Sequence, residues 1–179
     1  MPEAKVVLPL VIFFVMGAAL LWLLWRVVVA GGRARRESAS GIAAEDLARR
    51  CDVLLGDLLI VVDEMRRRKI PPQEAGPKMA AAQDVLRRHV QEAQALSRSG
   101  PWATTAAALA ADVERAQRAI ELVQHGGELL ADLTGVDWGE GETSVKRGYL
   151  NLVHAREAIR ERRETIVAVS QAGRSRWGG

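Results

Sequence analysis

Apolar residues follow two patterns along this chain. The first is an unbroken run: residues 6–25, VVLPLVIFFVMGAALLWLLW, carry no charge. At about 1.5 Å per residue they reach about 30 Å, the thickness of a bilayer's hydrocarbon core. Core helices rarely stay apolar on every side for that length, so the run predicts a transmembrane helix. Trp22 and Trp25 sit at its end as interfacial aromatics do, and Arg26 can snorkel there.

The second pattern is periodic. Four stretches repeat apolar positions at alternating steps of three and four, the signature of one helix face. In the first, about 42–69, the seam is Leu47, Cys51, Leu54, Leu58, Val61 and Met65. In the second, about 77–98, it is Met79, Ala82, Leu86, His89, Ala93 and Leu96. The third, about 104–133, runs Ala106, Leu109, Val113, Ala116, Ile120, Val123, Gly127 and Leu130. The fourth, about 143–172, runs Val145, Gly148, Leu152, Ala155, Ile159, Arg162, Ile166 and Val169. Leu55, Leu59, Val62, Val85 and Val90 widen the seams to the breadth a globular bundle needs. Connections at 71–76, 99–103 and 134–142 are short, which makes successive helices antiparallel neighbours. The expected fold is all-α: a single N-terminal transmembrane helix followed by an antiparallel up-down-up-down four-helix bundle. The expected divisions are an anchor at 1–30, a basic polar linker at 31–41, the bundle at 42–172 and a basic tail at 173–179. Gly31-Gly32 should interrupt the helix leaving the membrane. Ser40 is the expected N-cap of the first bundle helix, Thr104 or Thr105 that of the third, and Pro77 opens the second.

Charge places these elements. Lys5, Arg26, Arg33, Arg35 and Arg36 against Glu3 give residues 1–36 a net +4, so the remainder of a chain of net +3 sums to −1. A domain without a basic excess is not expected to bind nucleic acid. The basic residues following the apolar run put the bundle on the cytoplasmic side by the positive-inside rule. The rival reading is a cleaved signal peptide ending near Val28-Val29-Ala30; the long apolar run and weakly basic start favour an anchor. An antiparallel bundle returns its C-terminus to the side of entry. Arg26, Arg33, Arg35, Arg36, Trp102, Arg174, Arg176 and Trp177 are therefore the expected contacts with the membrane surface. For Trp102 and the tail, a cap on the core and a frayed end are the equally weighted alternatives.

Reactive chemistry is sparse. His89, His125 and His154 each precede a glutamate by three residues, the reverse of the Glu-x-x-His order of di-iron bundles. Only His89 falls on a seam, so no metal or haem site is expected. Cys51 on a seam is an inert thiol, and no Walker, G-x-S-x-G or H-E-x-x-H motif occurs. The expectation is no catalysis and no cofactor. Two structural sites are candidates. One is a buried polar layer in which Asp57 and Glu121 lie level with His89, while Arg162 could meet Asp52 or Glu114 or snorkel outward. The other is a distal site where seam glycines Gly127 and Gly148 approach each other, lined by Met65, Met79, Trp138 and Tyr149. Tight packing is the commoner reason for such glycines, a pocket the rarer one. Arginine outnumbers lysine 21 to 4, which suggests a GC-rich bacterial source. The resulting expectation is a single-pass protein of a bacterial inner membrane. Its bundle would serve as a scaffold or adaptor for an unidentified protein or for a second copy. The alternative is a ligand-sensing bundle, exported if the first segment inserts the other way or is cleaved.

Overall fold

The computed structural model describes the backbone of residues 4–98, 100–132 and 137–175. It describes the side chains of residues 20–23, 25 and 26 and, within those stretches, of 39–171. The described residues form four helices and no strand: α1 (Ala4–Arg66), α2 (Pro72–Ser97), α3 (Ala103–Ala131) and α4 (Trp138–Ser175). The chain divides into two compact units, Met1–Ala39 and Ser40–Gly179. Among the described residues no helix is long and apolar enough to cross a membrane. Most side chains of the apolar run at 6–25 lie outside them.

All four helices differ from expectation at a boundary or cap. Gly31-Gly32 does not stop α1, whose backbone stays helical through the expected linker, and Ser40 lies inside the helix. Two glycines disfavour a helix by about 1 kcal/mol each, but the alanine and arginine around them favour it. The second helix starts five residues early, at Pro72. Proline suits a first helical position because its missing N–H has no intrahelical acceptor there. Pro77 then lies inside the helix, preceded by Gly76, which has no Cβ to clash with the proline ring. The fourth helix starts at Trp138, absorbing the acidic glycine-rich stretch. The α3 N-cap is Trp102 and makes no side-chain capping bond, so neither threonine caps.

α1 ends in a tight reversal. Arg68 N–H donates to the Met65 carbonyl (2.9 Å) and Lys69 N–H to that of Glu64 (2.8 Å). This is the Schellman pattern, and it needs a left-handed residue after the helix, a place glycine usually fills. Here Arg68 fills it, at φ 58°. Gly100 supplies the left-handed residue of the α2–α3 turn, at φ 100°.

Polar pairs fix the order of the bundle helices. Arg50 on α1 donates to Glu92 on α2 (2.7 Å), and Gln94 on α2 to Glu114 on α3 (3.3 Å). Arg162 on α4 donates to Asp112 on α3 (3.4 Å), and Arg156 on α4 to Asp52 on α1 (2.7 Å). The pairs close a ring of antiparallel neighbours. Inside it the seam residues Leu47, Cys51, Leu58, Leu86, Leu109, Val113, Ile120, Val123, Leu152, Ile159 and Ile166 are buried. On α1 the stripe is turned slightly from the predicted one. Leu55 and Val62 are fully buried while Leu54 and Val61 are half-buried against the core.

Candidate functional site

The predicted meeting of Gly127 and Gly148 does not occur; different glycines bring α3 and α4 together. A Cβ on Gly126 would sit 2.7 Å from the Gly141 carbonyl oxygen and 2.8 Å from the Val145 nitrogen. One on Gly148 would meet Val123 Cγ2 at 2.5 Å and the Ala119 carbonyl oxygen at 2.8 Å. Both sets of contacts include backbone atoms, so the movement of a side chain alone cannot make room. Gly127 faces the other way, with room for a Cβ 3.6 Å from Pro72 Cβ and 3.7 Å from Met65 Sδ.

The distal candidates therefore separate. Gly127 and Met79 line a cavity of about 370 Å³ between α2 and α3, rimmed by Gln73, Gln124 and Glu128. Tyr149 and Trp138 belong to the α1–α4 side. The Arg66 guanidinium lies 4.9 Å from the Tyr149 ring centroid, and Arg68 lies 5.3 Å from that of Trp138.

The predicted polar layer is not assembled either. His89 is buried, but Asp57 and Glu121 are exposed. His89 sits on the α1-facing edge of α2. Its Nδ1 has no hydrogen-bond partner among the described residues, and Glu92 Oε1 stands off at 3.7 Å. Burial pushes the imidazole below its ordinary value, and the Arg50 charge adds to this, while Glu92 pulls the other way. Arg50 holds Glu92 below the usual carboxylate range by hydrogen bond and charge. Beside this group the Cys51 thiol is fully buried and pushed by burial up to about 12, which makes it unreactive at neutral pH. Among the described residues no group of His, Cys, Asp or Glu could hold a metal ion.

Two other buried carboxylates take the arginines of α4. Asp52 accepts from Arg156 and lies 3.5 Å from Arg160. Asp112 accepts from Arg115 (3.0 Å) and Arg162. Arg162, expected to occupy a seam, turns outward at its edge with the side chain 47% exposed. Of these two carboxylates, the sequence points to Asp52 alone as a partner for an arginine on α4, and there for Arg162 and not Arg156. The signal for Asp112 was an acidic residue one place off the third seam.

Among the expected membrane-surface residues, Arg26 and Trp22 are exposed and stack, guanidinium to ring centroid 5.3 Å. The side chains of Arg33, Arg35, Arg36 and Arg174, and residues Arg176 and Trp177, lie outside the described set. Trp102 is half-buried, with its indole on Gly41. A Cβ on Gly41 would meet Trp102 Nε1 at 3.0 Å. This indole covers an end of the bundle, which is the cap alternative for Trp102.

The most exposed apolar residues of the bundle include three that lie off the seams, all on α1: Ile42 (66%), Val53 (56%) and Ile60 (60%). Val53 and Ile60 line a groove of about 730 Å³ between α1 and α4, with Gly56 and Tyr149. Arg156 crosses it; its Nη2 would be 2.8 Å from a Cβ on Gly56. The signal was available in the sequence, since Val53 and Ile60 are seven residues apart, on a face opposite the seam. Comparison with known protein families, curated proteins and solved structures finds no match.

Proposed function

We propose that this chain is a single-pass membrane scaffold or adaptor. Its bundle stands at the cytoplasmic face of a bacterial inner membrane and works by binding, without catalysis or a cofactor. Three features support the reading. Residues 6–25 carry no charge and are followed by four arginines. The unit Ser40–Gly179 has a continuous apolar core of its own. The observation that carries it is the exposed pair Val53 and Ile60 over the α1–α4 groove. Exposed apolar residues grouped on one face mark interaction surfaces more often than isolated ones do.

The test is topology and retention of the full chain in a bacterial host. A reporter fused after Gly179 should be active only in the cytoplasm, and the protein should resist alkaline extraction from membranes. Activity only outside the cytoplasm refutes the orientation. Release by alkali refutes the anchor. A second reading, a bundle that senses a small ligand, is favoured by the cavity beside Met79 and Gly127. Its test is a shift of the Met79 methyl resonance during a screen of small amphiphiles, lost in Gly127→Leu.

A further inference from the structure

The outer face of α1 carries more than exposed apolar residues. At 100° per residue Ile42, Val53 and Ile60 fall within about 20° of one another, opposite Leu47, Cys51, Leu55 and Leu58. On both sides of Val53 and Ile60 the same charge block occurs. Glu45-Asp46 is followed by Arg49-Arg50, and Asp63-Glu64 by Arg67-Arg68. Glu45, Asp46, Arg49 and Arg50 and, five turns on from the first two, Asp63 and Glu64 belong to α1 and flank this face; Arg67 and Arg68 follow the end of the helix, and Arg68 is held by Glu142 and Trp138 on α4. We propose that this face binds a second copy of the chain, antiparallel, about a twofold axis beside Gly56.

The charges select both occupant and direction. The face is close to neutral, so a strongly acidic or basic partner would meet repulsion as well as attraction. A parallel second copy sets Asp46 against Asp46, Arg49 against Arg49 and Asp63 against Asp63. An antiparallel one sets Arg49 and Arg50 against Asp63 and Glu64 of the second copy, and brings Glu45 and Asp46 to the end of its α1, next to its Arg67. Val53 then meets Ile60 of the second copy, with the axis between Gly56 and Asp57, and Arg156 of each copy, which lies over Gly56, flanks the contact. Pairs within α1 already use some of these groups, such as Arg49 with Asp46 (2.6 Å) and Arg67 with Asp63 (2.7 Å). Those arginines are more than half exposed, and such pairs exchange at little cost. The intrahelical pairs also leave Val53 and Ile60 in water, which the antiparallel contact does not. One contact opposes pairing: Asp57, exposed beside the axis, meets Asp57 of the second copy. A single helix pair of this length buries on the order of 1,000 Å², at the lower end of specific interfaces, so association is weak.

The inference does not depend on the anchor.

The experiment uses the full chain in detergent micelles, where no bilayer fixes direction. Sedimentation should show a monomer–dimer equilibrium. With a short bismaleimide, a mixture of Val53→Cys and Ile60→Cys chains should crosslink to each other, and either variant alone should not. Native Cys51 is buried and does not compete. Arg49→Glu should weaken the dimer about tenfold, and Arg49→Glu with Asp63→Arg should restore it. Asp57→Asn should tighten it. Crosslinking of Val53→Cys chains to themselves shows a parallel contact and overturns the proposal. So does a monomer at the highest soluble concentration, or indifference to the Arg49→Glu change. A chain that pairs antiparallel but is released from membranes by alkali keeps this interface and loses the anchor.

Discussion

Among the described residues, His89 carries the one buried side-chain nitrogen or oxygen without a hydrogen-bond partner. A buried imidazole nitrogen without a partner forfeits its hydration, a loss of about 1–3 kcal/mol. Its folded-state pKa lies below the unfolded value of about 6.5, so between the two the unfolded chain binds more protons. Stability from this group is fully present above about pH 6.5 and is lost as pH falls from there through the folded value. Glu92 has a depressed pKa as well, and its contribution is lost lower, below the ordinary carboxylate range. Urea unfolding at pH 7.5 and 5.5 separates the two windows. The wild-type midpoint should drop at 5.5, while His89→Leu should be more stable at both and nearly flat between them. A wild-type midpoint that does not fall, or a variant that still falls as steeply, removes His89 as the cause. Arg68 tests a different kind of residue-scale conflict. Its left-handed backbone costs about 1 kcal/mol relative to glycine, and its exposed ion pair with Glu142 (2.8 Å) returns less than that. Arg68→Gly should therefore raise the thermal midpoint slightly. A clear fall would mean that the contacts with Glu142 and Trp138 outweigh the backbone term.

Helices were legible from the sequence because each buries one stripe, and a stripe is written as steps of three and four. Their ends were less legible, because what stops a helix here is tertiary. Gly139 and Gly141 read as a loop, yet Gly141 is helical and lies against Gly126, where any side chain would strike backbone. Gly127 shows why sequence spacing could not choose between adjacent glycines: both lie near the α3 seam, and only contact decides which is pinned. Gly148→Ala should destabilise the bundle by about 1–3 kcal/mol, because its Cβ would overlap Val123 and the Ala119 carbonyl. Gly127→Ala should be neutral or stabilising by up to about 1 kcal/mol, since its Cβ meets ordinary contacts and alanine is the better helix former. Equal effects of the two changes would contradict the observed crossing. At the middle of the seams, Leu58→Ala or Ile120→Ala should cost about 2–5 kcal/mol, because both side chains are buried in the core. A midpoint that moves no further than with a surface change would place them outside the core.

At the scale of the whole molecule, the candidate sites were far less legible than the fold. Level-matching along straight helices put Asp57 and Glu121 beside His89, but level alone does not say which way a residue points around its helix. Both point outward, and the carboxylates that turn in are Asp52 and Asp112. The two-unit division also bears on folding. The core of Ser40–Gly179 begins at once, with Gly41 under Trp102 and with Ala44 and Leu47 buried. Among the described residues, every member of that core lies after residue 40. A fragment of residues 40–179 should accordingly be strongly helical in buffer and melt cooperatively, with no need of lipid. A fragment starting at residue 45 should lose the seat of Trp102, with its indole fluorescence shifted toward the solvent-exposed value and a lower midpoint. Replacing Trp138 and Trp177 by Phe in both fragments leaves Trp102 as the only indole and makes the comparison direct. If the 40–179 fragment becomes helical only when vesicles are added, its core is not self-sufficient. If the two fragments match, Gly41 and Ala44 do not close that end of the bundle.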